Sequence, residues 1–243
     1  MDFNVVIPAR YESTRLPGKP LIDIAGIPMV IRTAIQASKS GAQYVIIATD
    51  DERIKNTAEK HGFEALMTDK DHPSGTDRVL DIANQKGWLG DEVIINVQGD
   101  EPLIDPKLIK LLANALKDID VNYVTACSGF ESFEDYLNPS NVKVICNIKQ
   151  FATKFYRDPL VTKEKDWDSK KQFHHIGIYG YKKNLLDNFC SLPISKLEIT
   201  LKLEQQRALE NNLLLKTLKY KGKTYKGIDT PDDLASIRKH LMQ

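Results

Sequence analysis

The chain has 243 residues, 42% of them hydrophobic, with 34 basic side chains against 33 acidic ones and a formal net charge of +1. That length supports one sizeable core, or at most two small ones, and the balanced charge argues against nucleic acid as a partner. The three cysteines, Cys127, Cys146 and Cys190, are odd in number, far apart and set in apolar surroundings, so they read as buried thiols in a reducing compartment. No run approaches the length of a membrane span, and the N-terminus lacks the basic-then-apolar layout of a signal peptide. A cytoplasmic protein with no membrane partner is expected.

Residues 3–7 read as a buried strand, followed by a loop from Pro8 to Pro20 rich in Pro, Gly, Arg and Lys. A helix is expected near 28–39, with Ile31, Ala34, Ile35 and Ser38 on one face. Short apolar runs at 44–48, 64–67 and 93–97 read as strands, and 51–61 and 74–86 as helices. Asp105 and Pro106 supply a cap and a first-turn proline to a helix whose stripe is Leu108, Leu111, Leu112, Ala115 and Leu116. Such alternation argues for a parallel sheet covered on both faces. The second half differs: 123–127, 142–147, 151–156 and 176–181 look like strands with few helices between them. A helix near 197–209, a strand near 213–219 and a helix from Pro231 close the chain. Thr230 caps that last helix, with Leu234, Ile237 and Leu241 on one face. Residues 162–172 are polar and Lys-rich, expected to be exposed and mobile. Trp88 and Trp167 show no usable stacking pattern. The expected fold is a single α/β domain over 1–243. It has three layers, a mainly parallel central sheet and a smaller strand-rich extension at about 122–190.

Ligands of parallel sheets gather at the carboxyl ends of the strands. The loop after the first strand carries Arg10, Arg15 and Lys19 with Gly18 before the lysine, cations suited to the charge released when a triphosphate is cleaved. A solvated basic loop is the competing reading, and the position after strand one favours function. The spacing fits neither a Walker loop nor a dinucleotide fingerprint. Asp100 and Asp229 follow strand-like runs and suit Mg²⁺, which takes one or two carboxylates plus water and phosphate; both are also ordinary turn residues. Ser74, Gly75 and Thr76 open a helix with Arg78 in its first turn, either a ligand-reading terminus or a plain cap. On the helix expected near 197–209, Glu204 and Gln205 interrupt the apolar face of Leu197, Leu201 and Ala208, and need as partner a polyol ligand or else a buried Arg or neighbouring backbone. Along a strand, His175, Gly177 and Tyr179 face one way, whereas His174 and His175 point oppositely and are not a metal pair.

Residues 7–21 (IPARYESTRLPGKPL) resemble the signature loop of sugar-activating nucleotidyltransferases, and in wording the 3-deoxy-manno-octulosonate cytidylyltransferase family. The blocks at 48–54 (ATDDERI), 72–78 (HPSGTDR), 96–104 (NVQGDEPLI), 175–179 (HIGIY), 203–205 (LEQ) and 227–231 (GIDTP) resemble that family in the same order along nearly the whole chain. The resemblance implies transfer of CMP from CTP to a 3-deoxy-D-manno-octulosonate (KDO)-type sugar acid, for lipopolysaccharide biosynthesis, by a homodimer. It implies that Ala9, Arg10, Ser13, Arg15, Lys19, Ser74, Gly75 and Arg78 bind the nucleotide. Asp100 and Asp229 would hold Mg²⁺, with Arg10, Lys19 and both aspartates catalytic. Gln98, Arg157, His175, Tyr179, Glu204 and Gln205 match family sugar-binding positions, with Arg157 the natural partner of the sugar carboxylate.

The match is looser around the acceptor. Tyr156 stands where the family usually has Ser, His174 replaces a frequent Arg, and the stretch between Arg157 and His175 is shorter than usual. These departures leave open a modified octulosonate, such as an 8-amino form, or another sugar acid. No residue stands out as a general base. The run Lys219, Lys221, Lys223 and Lys226 reads as a solvated strand end.

Overall fold

A computed structural model describes residues 2–13 and 16–241; Arg15 lies outside the described residues. The chain begins with β1 (Phe3–Ala9), a 3-10 turn at Lys19–Leu21, the short strands β2 (Asp23–Ile24) and β3 (Ile27–Pro28), and α1 (Met29–Ser38). Then follow β4 (Tyr44–Thr49), α2 (Glu52–Lys60), β5 (Glu64–Met67), α3 (Gly75–Gln85), β6 (Val93–Asn96) and α4 (Pro106–Ala115). The second half comprises β7 (Tyr123–Ser128), α5 (Phe133–Leu137), β8 (Lys143–Cys146), β9 (Ala152–Tyr156) and β10 (Gln172–Lys182). It ends with α6 (Lys183–Ser191), α7 (Lys196–Leu201), α8 (Gln205–Glu210), β11 (Lys216–Lys219) and α9 (Pro231–Leu241).

Among the described residues one sheet runs β11-β7-β10-β6-β1-β4-β5, with β8 and β9 splayed from β10. Strands β6, β1, β4 and β5 are parallel to one another. β10 runs antiparallel between β6 and β7. This is the expected central sheet with its strand-rich extension. Every residue of β1 is buried, so its side chains feed both layers. Val5, Ile7 and Ala9 pack with α1, α2 and α4 on one face, and Val6 packs with α3, α6 and α8 on the other. Burial on both faces explains why the parallel strands read as continuous apolar runs. Thr230 and Asp233 exchange hydrogen bonds at the start of α9, and Leu234, Ile237 and Leu241 pack together in a small separate core.

Three expectations change. The helix near 197–209 is two helices, because Lys202 takes φ 52 and ends α7. Glu198 then turns back to receive both arms of buried Arg207, at 2.9 and 2.5 Å. A buried bidentate pair of this kind outweighs the helical periodicity of the sequence. Glu204 consequently precedes α8, while Leu197 is 48% exposed, so no single face runs from 197 to 208. The second half also holds α5 and α6, which its strand-like patterning hid. Finally, Trp167 stacks on Tyr136 with centroids 5.3 Å apart. That anchors the end of an otherwise exposed polar stretch, since the Tyr136 hydroxyl also accepts from the Leu160 N–H.

The centre of the sheet tolerates no bulk at Gly180. A Cβ there would lie 2.8 Å from Ile95 Cδ1 and Val124 Cγ2 and 2.9 Å from Leu116 Cδ1. Overpacking at this level costs about 1–3 kcal/mol; Gly180→Ala is expected to lower the unfolding free energy by that amount, seen as a lower urea midpoint with an unchanged slope.

Candidate active site

The carboxyl ends of β1 and β6 lie side by side and set the floor of the site. Gly99 permits this: a Cβ on it would sit 2.9 Å from the Pro8 carbonyl oxygen. Thr33 Oγ1 on α1 donates to the Gly99 carbonyl at 3.2 Å and ties the loop to the helix layer. Above this floor opens a cavity of about 740 Å³. Ala9, Arg10, Ser13, Lys19, Ser74, Gly75, Arg78, Gln98, Asp100 and Asp229 all line it. Every expected nucleotide and metal residue that is described therefore reaches one space.

The loop after β1 is held by contacts that its sequence did not announce. Gly18 adopts φ +65, a left-handed turn that favours glycine, and the Tyr11 ring closes over it: a Gly18 Cβ would be 3.1 Å from the Tyr11 hydroxyl. The Arg53 guanidinium lies 3.4 Å from the Tyr11 ring centroid on the other side, a cation–π strut to α2. Beyond Gly18 the chain turns, and Lys19 Nζ reaches Asp100 Oδ2 at 2.5 Å and Asp229 Oδ1 at 2.9 Å. Burial pulls the Lys19 ammonium down, but the two carboxylates outweigh it and the net shift is upward. Gly227 matters behind them, because a Cβ there would be 3.2 Å from Glu101 Oε1. Glu101 is pushed up to about 8, first by burial and then by Asp100.

The opposite wall is the start of α3. Ser74 Oγ accepts from the Thr76 and Asp77 N–H groups at 3.1 and 3.2 Å, so its hydroxyl serves first as a cap. Arg78 donates to Thr68 Oγ1 at 2.7 Å, to the Asp69 carbonyl at 2.8 Å and to Asp50 Oδ2 at 2.6 Å. Its guanidinium thus shapes the wall by binding protein groups. His72, which the sequence did not single out, lines the cavity and is hydrogen-bonded to Asp81 at 2.9 Å.

The expected sugar-acid residues divide into three groups. Gln98 stands in the cavity wall. His175, Tyr179, Glu204 and Gln205 form a polar layer behind it, outside the cavity lining. His175 is hydrogen-bonded to Thr125 at 2.8 Å and is pushed down to about 3 by burial, then by His174. Tyr179 donates to Gln205 Oε1 at 3.3 Å. Thr76 joins this layer to the nucleotide wall by donating to Glu204 Oε2 at 2.8 Å. Glu204 Oε1 is buried with no hydrogen-bond partner among the described residues, and burial raises the pKa of its carboxyl against the hydroxyls of Ser74 and Thr76. Arg157 stands apart, donating to the Leu201 and Lys202 carbonyls at the end of α7. The adjacent histidines do point oppositely: His174 lies 5.5 Å from the Phe130 ring, His175 5.0 Å from Phe155. Between Ile176 and Tyr179 the strand bulges. Thr125 Oγ1 supports that bulge by donating to the Ile178 carbonyl at 2.8 Å.

Because the Pro8 carbonyl is backbone, it cannot swing away from an added methyl. Gly99→Ala is expected to part the ends of β1 and β6 and weaken binding of the expected nucleotide by about tenfold or more, about 1.4 kcal/mol, measured by calorimetry on protein that still melts cooperatively.

A cytidylyltransferase family model matches residues 4–219. The chain is 41% identical to a 3-deoxy-manno-octulosonate cytidylyltransferase of Acidovorax sp. (strain JS42), over 97% of this chain and 96% of that protein. It is 38% identical to the protein of the same description from Coxiella burnetii (strain RSA 493 / Nine Mile phase I), over 99% and 100%. A solved CMP:2-keto-3-deoxy-manno-octonic acid synthetase complexed with CTP superposes with TM-score 0.91 at 36% identity, covering 100% of this chain and 99% of that one. A cytidylyltransferase of Leptospira borgpetersenii shares the fold, with TM-score 0.64 at 20% identity. With a matching family model, full-length relatives and one continuous cavity in agreement, the chain belongs to the cytidylyltransferase family, among the 3-deoxy-manno-octulosonate cytidylyltransferases.

Proposed function

We propose that this protein transfers CMP from CTP to 3-deoxy-D-manno-octulosonate, releasing pyrophosphate, in the cytoplasm. The observation that carries the reading is the meeting of Lys19, Asp100 and Asp229 in the lining of the cavity. An anomeric hydroxyl of the sugar acid attacks the α-phosphorus; a new P–O bond forms and the bond to pyrophosphate breaks. Arg10 and Lys19 bind and orient the triphosphate and neutralise charge as it develops on the leaving group. The α3 start and the Arg78-braced wall enclose the base, and Gln98 with the polar layer behind it receives the polyol. Catalysis of this kind rests on positioning and electrostatics.

The donor set at Asp100 and Asp229 fits Mg²⁺. Two carboxylates converge within 2.5 and 2.9 Å of one nitrogen, so a single cation can be shared between them. An ion held by these two carboxylates would complete its shell with water and phosphate. Bound there, Mg²⁺ would supply Lewis-acid polarisation of the α-phosphate. No helix among the described residues is long and apolar enough to cross a membrane. Homodimer formation belongs to the same proposal.

A pyrophosphate-release assay crossing four nucleoside triphosphates with KDO, 8-amino octulosonate and a nonulosonic acid tests the reading. Turnover is expected with CTP and KDO, and absence of turnover with CTP and every acid would end it. Lys19→Ala is expected to lower kcat by about 10²–10³-fold, the scale for one preorganised charge stabiliser; an unchanged kcat removes Lys19 from the chemistry. Asp100→Asn is expected to shift the Mg²⁺ activation curve to higher concentration, and a superimposable curve excludes Asp100 as a ligand.

A further inference from the structure

β6 carries one residue that its burial does not explain. Val93, Ile94 and Ile95 are apolar and buried, as a central strand requires, yet Asn96 at the strand end is polar and fully buried. Asn96 pairs across the sheet with Tyr179 on β10 and with Val6 on β1. It shares its parity with Ile94, which packs against α3 and Tyr181, so its amide lies on the α3 face. A buried amide is costly unless it is hydrogen-bonded. Asn96 Oδ1 has one partner, accepting from Gln98 Nε2 at 3.3 Å, and Asn96 Nδ2 has none among the described residues.

That single bond has a directional consequence. An amide side chain offers a donor at one end and an acceptor at the other. With Gln98 Nε2 given to Asn96, Gln98 Oε1 remains for the cavity. It lies 3.8 Å from where a Gly75 Cβ would stand, on the wall facing α3. We propose that Asn96 is a positioning residue: its side-chain carbonyl holds the Gln98 amide with the oxygen turned into the cavity, so that this wall accepts a hydrogen bond from a hydroxyl of the acceptor substrate. The opposite amide orientation would present an N–H, which a hydroxyl, carbonyl or carboxylate oxygen could each accept. The assignment rests on the acceptor reading of Gln98 given above, and it adds to that reading which atom of Gln98 is used and what fixes it.

The test is a double-mutant cycle on the whole enzyme with CTP, Mg²⁺ and sugar acid. It uses Asn96→Leu, which removes the carbonyl at similar volume, Gln98→Leu, and the pair. Asn96→Asp keeps an oxygen acceptor facing Gln98. Thermal melts confirm folding, calorimetry gives the CTP Kd, and steady-state kinetics separate acceptor KM from kcat. Asn96→Leu is expected to raise acceptor KM about tenfold with CTP Kd changed less than twofold, and to add nothing further once Gln98 is Leu. Asn96→Asp is expected to recover most of that loss relative to Asn96→Leu. An unchanged acceptor KM in Asn96→Leu, or additive effects in the pair, overturns the positioning role. If Gln98→Leu still raises KM in that case, the acceptor reading stands alone. Gln98→Leu without effect on acceptor KM overturns both. A folded Asn96→Asp that binds acceptor as poorly as Asn96→Leu overturns the orientation of the amide. Should Asn96→Asp not fold, the cycle with leucine decides by itself.

Discussion

The contact of one ammonium with two carboxylates organises this protein. Lys19 is separated from Asp100 by 81 positions and from Asp229 by 210, and each sits on a different loop. Like charges at Asp100 and Asp229 would repel across a partly buried space without a cation between them. Lys19 supplies that cation, and the upward net shift of its pKa shows that attraction by the carboxylates exceeds the cost of burial. The same charge balance prepares the site for its ligands. In the proposed reaction a divalent cation would take the place of the ammonium between the two carboxylates, and the lysine would serve the phosphates.

Glycines set the distances on which that contact depends. Gly99 brings the Pro8 carbonyl close to the loop after β6, Gly227 gives room to the Glu101 carboxylate, and Gly18 turns the chain into Lys19 beneath Tyr11. The sheet provides rigidity below them, since β1 and β6 are parallel neighbours with buried side chains on both faces. Binding groups held by a packed sheet and close backbone contacts need little reorganisation when substrate arrives, which suits a reaction driven by positioning.

The acceptor side is built on another principle. Its polar groups are mostly satisfied by one another, through Thr76 to Glu204, Tyr179 to Gln205 and His175 to Thr125. Among the described residues Glu204 Oε1 and Asn96 Nδ2 are buried without a hydrogen-bond partner. A buried network of this kind is costly to disturb, because each unmet group in a low-dielectric interior carries the full loss of its hydration. Arg157 lies outside this arrangement, bound to the end of α7.

Local sequence determined a large part of the fold. The continuous apolar runs of β1, β4 and β6 required burial on both faces, and the caps at Asp105, Ser74 and Thr230 placed helix starts where they occur. The cationic loop favoured phosphate chemistry by its charge and its place after strand one, and the ordered motif blocks did so through their resemblance to a nucleotidyltransferase family. Tertiary structure alone decided the rest. It broke the helix at Lys202 for the sake of the Glu198–Arg207 pair, committed Arg78 to Asp50 and the loop behind it, and gave Asn96 a purpose beside Gln98. Periodicity reports only which face of an element is apolar. Which polar group meets which, and at what distance, depends on contacts between residues far apart in the chain, and these exist only once the sheet has assembled.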